Sequence, residues 1–182
     1  MKKQLLLTIL ILVFTIPLIS QETPATADEI MSKAIKQANT ENKNIFLMFH
    51  ASWCGWCKRM DAAMQDEKTM DYFNDHYVII HMVVKEAKDK KHLENPGAAE
   101  MLAKYKGDRA GIPFWLIFDK NGELIEDSFM KIERNGEIID ANIGCPAQDK
   151  EVDVFVSKIN NAAPLTDTER DNIITRFREN RN

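Results

Sequence analysis

The chain has 182 residues, 45% of them hydrophobic and 29% charged, with 7 glycines, 6 prolines and 3 cysteines. That suits one globular domain and excludes collagenous, low-complexity and disulfide-scaffold classes. The formal charge is −4 and no dense basic tract occurs, so a nucleic-acid surface is excluded as the main function.

Met1-Lys2-Lys3 is a short positive start, followed by an almost unbroken apolar run from Leu5 to Ile19 and the small residue Ser20. The pattern predicts a signal peptide over 1–20, leaving a mature chain of 21–182. The run is shorter than the roughly 18–20 apolar residues of a spanning helix, and an uncleaved anchor is the alternative reading. Export places the mature chain in the periplasm or outside the cell, where disulfides persist.

Thr26-Ala27-Asp28-Glu29 has the form of a capping box. Ile30, Met31, Ala34, Ile35 and Ala38 then recur at helical spacing, which predicts a helix near 27–39. Ile45 to Phe49 is a continuous apolar run, the pattern of a strand covered on both faces. Next come Trp53-Cys54-Gly55-Trp56-Cys57-Lys58, with a helix starting inside the motif and carrying Met60, Ala63 and Met64. A short helix is predicted near 67–75 and a second strand over Tyr77 to Val84.

Lys85 to His92 is dense in charge and reads as a solvated surface loop. Asn95-Pro96-Gly97 opens a helix with Ala98, Met101, Leu102 and Tyr105 on one stripe. Gly111-Ile112-Pro113 leads into a buried strand, Phe114 to Phe118. Asp119-Lys120-Asn121-Gly122 is a tight turn before Leu124-Ile125. A second Asn-Gly, Asn135-Gly136, predicts a hairpin linking about 128–133 to 137–141. Helices follow near 149–160 and, after the capping box Thr166 to Glu169, over about 166–180. The alternation predicts an α/β fold, one sheet between helices, with a core over about 43–160.

The chemistry sits at Cys54 and Cys57. A thiol at a helix start feels unpaired N–H groups and the positive end of the helix dipole, which favour the thiolate. The second thiol lies one turn inward. This predicts an exposed attacking Cys54 and a less exposed resolving Cys57, a dithiol exchange pair needing no other cofactor. CxxC is also half of a zinc site. The other candidates, Cys145 and His50, His76, His81 and His92, form no second paired motif, which favours redox chemistry over a metal.

Other features carry a plain reading beside a functional one. Trp53 and Trp56 either pack or form the rim of the site. His50 is either a hydrogen-bonded histidine at a strand end or a proton relay. Cys145 is either a structural or incidental free thiol or a partner in a regulatory or intermolecular disulfide. The methionines read as core filler.

Ile45 through Lys58 resembles the strand-to-helix passage of the thioredoxin superfamily. Asn95-Pro96-Gly97, Lys104-Tyr105, Gly111-Ile112-Pro113 and Phe118 to Gly122 resemble the second half of that fold in the same order, over about residues 43–125. The Cys-Gly-Trp-Cys-Lys form is most similar to exported members, such as the soluble domain of membrane thiol:disulfide interchange reductases. The resemblance implies a thioredoxin-like fold, with a central mixed β-sheet flanked by helices, an inserted hairpin over 126–141 and a C-terminal helix.

It also implies residue roles. Cys54 attacks and Cys57 resolves; Pro113 is a cis-proline beside them; the Ile112 backbone pairs with an extended substrate; Trp53, Gly55 and Trp56 ring the sulfur. The implied partners are exported proteins with disulfides and a membrane or soluble electron donor. Oligomeric state is left open. Two departures stand out. Thioredoxin carries a buried Asp six residues before the first Cys, where this chain has Met48. Solvent, Lys58 or a partner's residue must then handle the proton, and Lys58 and His50 are the residues that could tune it. The intervening pair is Gly55-Trp56, with no His to hold a thiolate strongly, which favours a reductant over an oxidase or isomerase. A non-catalytic binding module is the remaining alternative.

Overall fold

The structure is a computed structural model and describes residues 23–181. The segment expected to be a signal peptide lies outside the described residues. Among the described residues no helix is long and apolar enough to cross a membrane.

Helix α1 (Ala27–Glu41) opens on the expected capping box: the Thr26 hydroxyl accepts from the Glu29 N–H, and Glu29 accepts from the Thr26 N–H. Strand β1 (Asn44–His50) follows, then α2 (Gly55–Met64), α3 (Met70–His76) and β2 (Tyr77–Val83). A 3₁₀ helix over Lys88–Leu93 precedes α4 (Ala98–Lys104), β3 (Phe114–Phe118) and β4 (Leu124–Asp127). The chain ends with the hairpin β5 (Phe129–Arg134) and β6 (Glu137–Asn142), then α5 (Asp149–Ala162) and α6 (Asp167–Arg178).

The main sheet has the order β2-β1-β3-β4, with β1 parallel to β2 and antiparallel to β3. β1 and β3 sit in the middle, and the five residues Ile45–Phe49 and all of β3 are buried. Covered on both faces, they need apolar side chains at every position, which is why both read as unbroken runs. β5 and β6 pair only with each other, as the Asn135-Gly136 turn predicts.

Alternation along β1 divides the core in two. Ile45, Leu47 and Phe49 face α1 and α4, packing with Ala34, Ala38 and Leu102. Phe46 and Met48 face the other side, where α2, α3, α5 and α6 contribute Met60, Phe73, Phe155 and Phe177. There Phe155 stacks on Phe73, meets Trp115 edge-on and lies 4.7 Å, centroid to centroid, from Phe177. It joins the C-terminal helices to the sheet. Replacing Phe155 by Ala is expected to cost about 3–5 kcal/mol, the usual price of deleting a buried aromatic; urea unfolding followed by tryptophan fluorescence measures it.

Candidate active site

Three loops meet where β1 ends. The first carries the cysteines. Cys54 is the N-cap of α2, so its side chain stands where Ser or Asp normally accepts from the first helical turn. The Cys57 N–H points at the Cys54 Sγ, 3.1 Å away. The two cysteines are joined as a disulfide with Cα atoms 5.3 Å apart. When the bond opens, the same N–H and the helix start favour negative charge on Cys54. Among the described residues no group of three or more metal-ligating side chains comes together.

The second loop precedes β3. The Ile112–Pro113 bond is cis, and the Ile112 carbonyl oxygen lies 3.7 Å from the Cys54 Sγ. Asn142, at the end of β6, fixes this loop. Its amide donates to the Gly111 and Pro113 carbonyls at 2.9 and 3.0 Å, while its own oxygen accepts from the Gly144 N–H. Gly144, with φ 62°, passes 3.5 Å from the Pro113 oxygen as measured from a Cβ placed on it.

The third loop, after β2, is where the charged stretch was expected to be solvated. That reading is corrected at two residues. Glu86 is buried: its carboxylate accepts from both the Ser52 N–H and the Ser52 hydroxyl. Lys85, at φ 55°, offers its carbonyl to the Trp53 indole N–H and its ammonium to the Asp108 and Ala110 carbonyls. One dipeptide therefore ties the cysteine loop to the approach to the cis-proline. Hydrogen bonding to both carboxylate oxygens makes burial of the Glu86 charge tolerable. Charge density alone hid this from the sequence; Lys85 and Glu86 differ from their charged neighbours only in their partners.

The expected exposure of Cys54 is also corrected. Cys54 and Cys57 are 2% and 1% exposed, so both sulfurs are covered. The cause is local: Cys54 packs under the Ile112 carbonyl, and Trp53 and Trp56 stand out beside it at 58% and 48% exposed. The Trp56 ring is held under the Arg59 guanidinium, 5.0 Å from its centroid. Gly55 lies between them with open space where a Cβ would stand. Alongside runs a groove of about 330 Å³ lined by Trp56, Ile112, Pro113, Gly144 and Gln148.

Lys58 is exposed on α2. Met48 is fully buried opposite Trp115, so no acid occupies that position. His50 does not stand alone. Its ring lies 5.2 Å from that of His81 on β2, and His81 Nε2 is 2.8 Å from Asp61 Oδ1 on α2. Burial and the neighbouring His81 hold the His50 pKa below its usual value, against the opposing pull of Asp61 and Glu86. His81 and Asp61 carry no sequence signal of their own, because the contact joins a strand to a helix 20 residues earlier.

Cys145 is free, buried, and accepts from the Asn180 amide at 3.3 Å. Burial pushes its pKa up to about 12. At neutral pH it is a thiol rather than a nucleophile.

A mixed sheet of this order, with a dithiol at a helix start facing a cis-proline, defines a thioredoxin-like oxidoreductase. The thioredoxin-like domain profile matches residues 31–141, and the chain belongs to that family. It is 27% identical over 136 residues to Protein disulfide isomerase-like 1-1 of Arabidopsis thaliana, covering 66% of this chain and 27% of that protein. It is 26% identical over 131 residues to Protein disulfide-isomerase of Drosophila melanogaster, covering 68% of this chain and 25% of that one. The chain thus spans about a quarter of the length of these relatives. Among solved structures, a disulphide isomerase from Xylella fastidiosa Temecula1 is similar at TM-score 0.45 and 16% identity, covering 84% of this chain and 88% of that one. The DsbH oxidoreductase is similar at TM-score 0.38 and 21% identity, covering 79% and 85%.

Two outcomes follow. The Glu86 pKa is lowered by its bonds to Ser52, so its contribution to stability is present above the unfolded value near 4.5 and is lost as pH falls through the folded value. E86Q should be less stable than the unmodified protein at pH 7, and the gap should close in acid; urea midpoints at both pH values test this. In the reduced protein, iodoacetamide at pH 7 should label Cys54 first and leave Cys145 unmodified until unfolding, read by peptide mass mapping.

Proposed function

We propose that this protein reduces disulfides of exported proteins by dithiol exchange. Cys54 attacks a substrate disulfide and Cys57 resolves the mixed disulfide, leaving Cys54–Cys57 oxidised for a membrane or soluble donor to reduce again. The observation that carries this reading is the Cys57 N–H aimed at the Cys54 Sγ at the start of α2. It makes Cys54 both the better nucleophile and the better leaving group. The substrate strand lies along the groove beside Trp56, pairing with the Ile112 backbone next to Pro113 while Trp53 and Gly55 flank its path. The covered sulfur is reached from the open side at Gly55. His50 and Lys58 are the candidates for tuning the proton. The apolar run before residue 21 supports export.

Direction is supported by the pair Gly55-Trp56, which supplies no histidine to stabilise the reduced state. The expected potential lies nearer the value of about −270 mV typical of thioredoxin than the roughly −120 mV of a strong oxidant. A second reading, disulfide isomerisation, is favoured by the names of the two relatives at 26–27% identity. Equilibration with glutathione and refolding of a scrambled disulfide protein separate the two.

The unmodified protein should accelerate insulin reduction by dithiothreitol, and C54S should reduce it to the rate without enzyme. C57S should accumulate covalent complexes through Cys54, visible on non-reducing gels. Equal rates for the unmodified protein and C54S would eliminate exchange and leave a binding module.

A further inference from the structure

Resolution of a mixed disulfide needs the Cys57 thiol to lose a proton. The neighbourhood is apolar: Met48, Met60 and Trp115 are fully buried around the same core. A thiol in apolar surroundings has a raised pKa and forms little thiolate unaided. Sequence places no acid at position 48. The strand does, however, return to the same face two residues later, at His50. That step carries the side chain nearly 7 Å towards the cysteine loop. On the helix, Asp61 is four residues beyond Cys57 and shares its side of α2. Asp61 bonds to His81, and the His81 ring rests against that of His50. The strand end and the first turns of the dithiol helix are thus bridged by an acid–imidazole–imidazole cluster.

We propose that this cluster replaces the missing buried acid, with His50 taking the Cys57 proton, Asp61 supplying counter-charge for the resulting imidazolium, and His81 holding Asp61 and the His50 ring in position. The inference rests on the exchange reading above. The step balances as follows. Neutral His50 accepts the proton from Cys57 S–H. The Cys57 thiolate attacks Cys54 Sγ, forming the Cys54–Cys57 bond and breaking the bond between Cys54 and the substrate sulfur. The electron pair leaves on the substrate sulfur, which takes a proton from the imidazolium or water. The dithiol is the reductant throughout.

The charged and titratable groups facing His50 are His81 from β2, Asp61 from α2 and Glu86 from the following loop; β3 brings only Phe, Trp, Leu and Ile. Their balance keeps His50 neutral at pH 7, the state an acceptor requires.

The test is a single-turnover reaction of dithiothreitol-reduced protein, freed of reagent, with a peptide disulfide. Acid quench and mass spectrometry follow formation and decay of the mixed disulfide between pH 5 and 9. With the unmodified protein, decay should slow as pH falls through a value below 6.5, where His50 becomes protonated. In H50Q, decay at pH 7 should be about 100-fold slower, formation should be unchanged, and the low-pH break should be replaced by a rise of about tenfold per pH unit up to the thiol pKa. In H50A, added imidazole should restore decay, an effect a packing role would not show. D61N should slow decay about tenfold and lower the pH of the break, because the imidazolium loses its counter-charge. Decay within about twofold of the unmodified rate in H50Q, H50A and D61N, or slowing confined to formation, overturns the proposal. If the unmodified protein forms no mixed disulfide, the exchange reading itself falls, and this inference with it.

Discussion

The site depends on a sulfur standing where a helix expects an oxygen. Cys54 caps α2, and the backbone N–H of Cys57 is aimed at it. A helix start has N–H groups that no carbonyl within the helix can satisfy. Placing a polarisable thiol there converts an unavoidable deficit of the backbone into an electrostatic preference for thiolate. It requires that α2 begin at Gly55, which in turn requires the loop from Ala51 to Cys54 to hold one shape.

That shape is kept from outside the motif. Ser52 is fixed by Glu86, and Trp53 by the Lys85 carbonyl, while the Lys85 ammonium reaches the Asp108 and Ala110 carbonyls. Asn142 holds the cis-proline loop from its other side. Three segments far apart in sequence are thus tied by hydrogen bonds to backbone carbonyls and side chains as well as by apolar packing. Such contacts fix direction as well as distance. The groove beside Trp56 inherits its geometry from them.

The fold was readable in the sequence because its signals are local. The apolar runs 45–49 and 114–118, the capping boxes at Thr26 and Thr166, and the Asn135-Gly136 turn each specify an element without reference to the rest. The CxxC pair is legible for the same reason. Glu86 was not: six charged or polar neighbours between 85 and 92 surround it, and only its meeting with Ser52 sets it apart. The burial of Cys54 was equally hidden, since it arises from the Ile112 carbonyl and from the two tryptophans projecting past it. Asp61 and His81 became meaningful only when α2 was laid across β1 and β2. Residues whose role is set by one long-range partner leave no periodic trace.

In the proposed proton route, the Met48 position connects a local departure with a tertiary compensation. A strand face repeats every second residue, so chemistry absent at 48 can reappear at 50 without altering the register of β1 against β2 or β3. Met48 stays in the packed layer opposite Trp115, where an acid would need its own hydrogen-bond partners. His50 sits at the strand end, half-buried, where solvent and the Asp61–His81 pair share the cost of charge. Moving the titratable group outward by one pleat removes a buried carboxylate from the core. It also exchanges an acid with a low intrinsic pKa for an imidazole that changes charge near neutrality. The dithiol would then respond to pH through a group that the helix motif itself does not contain.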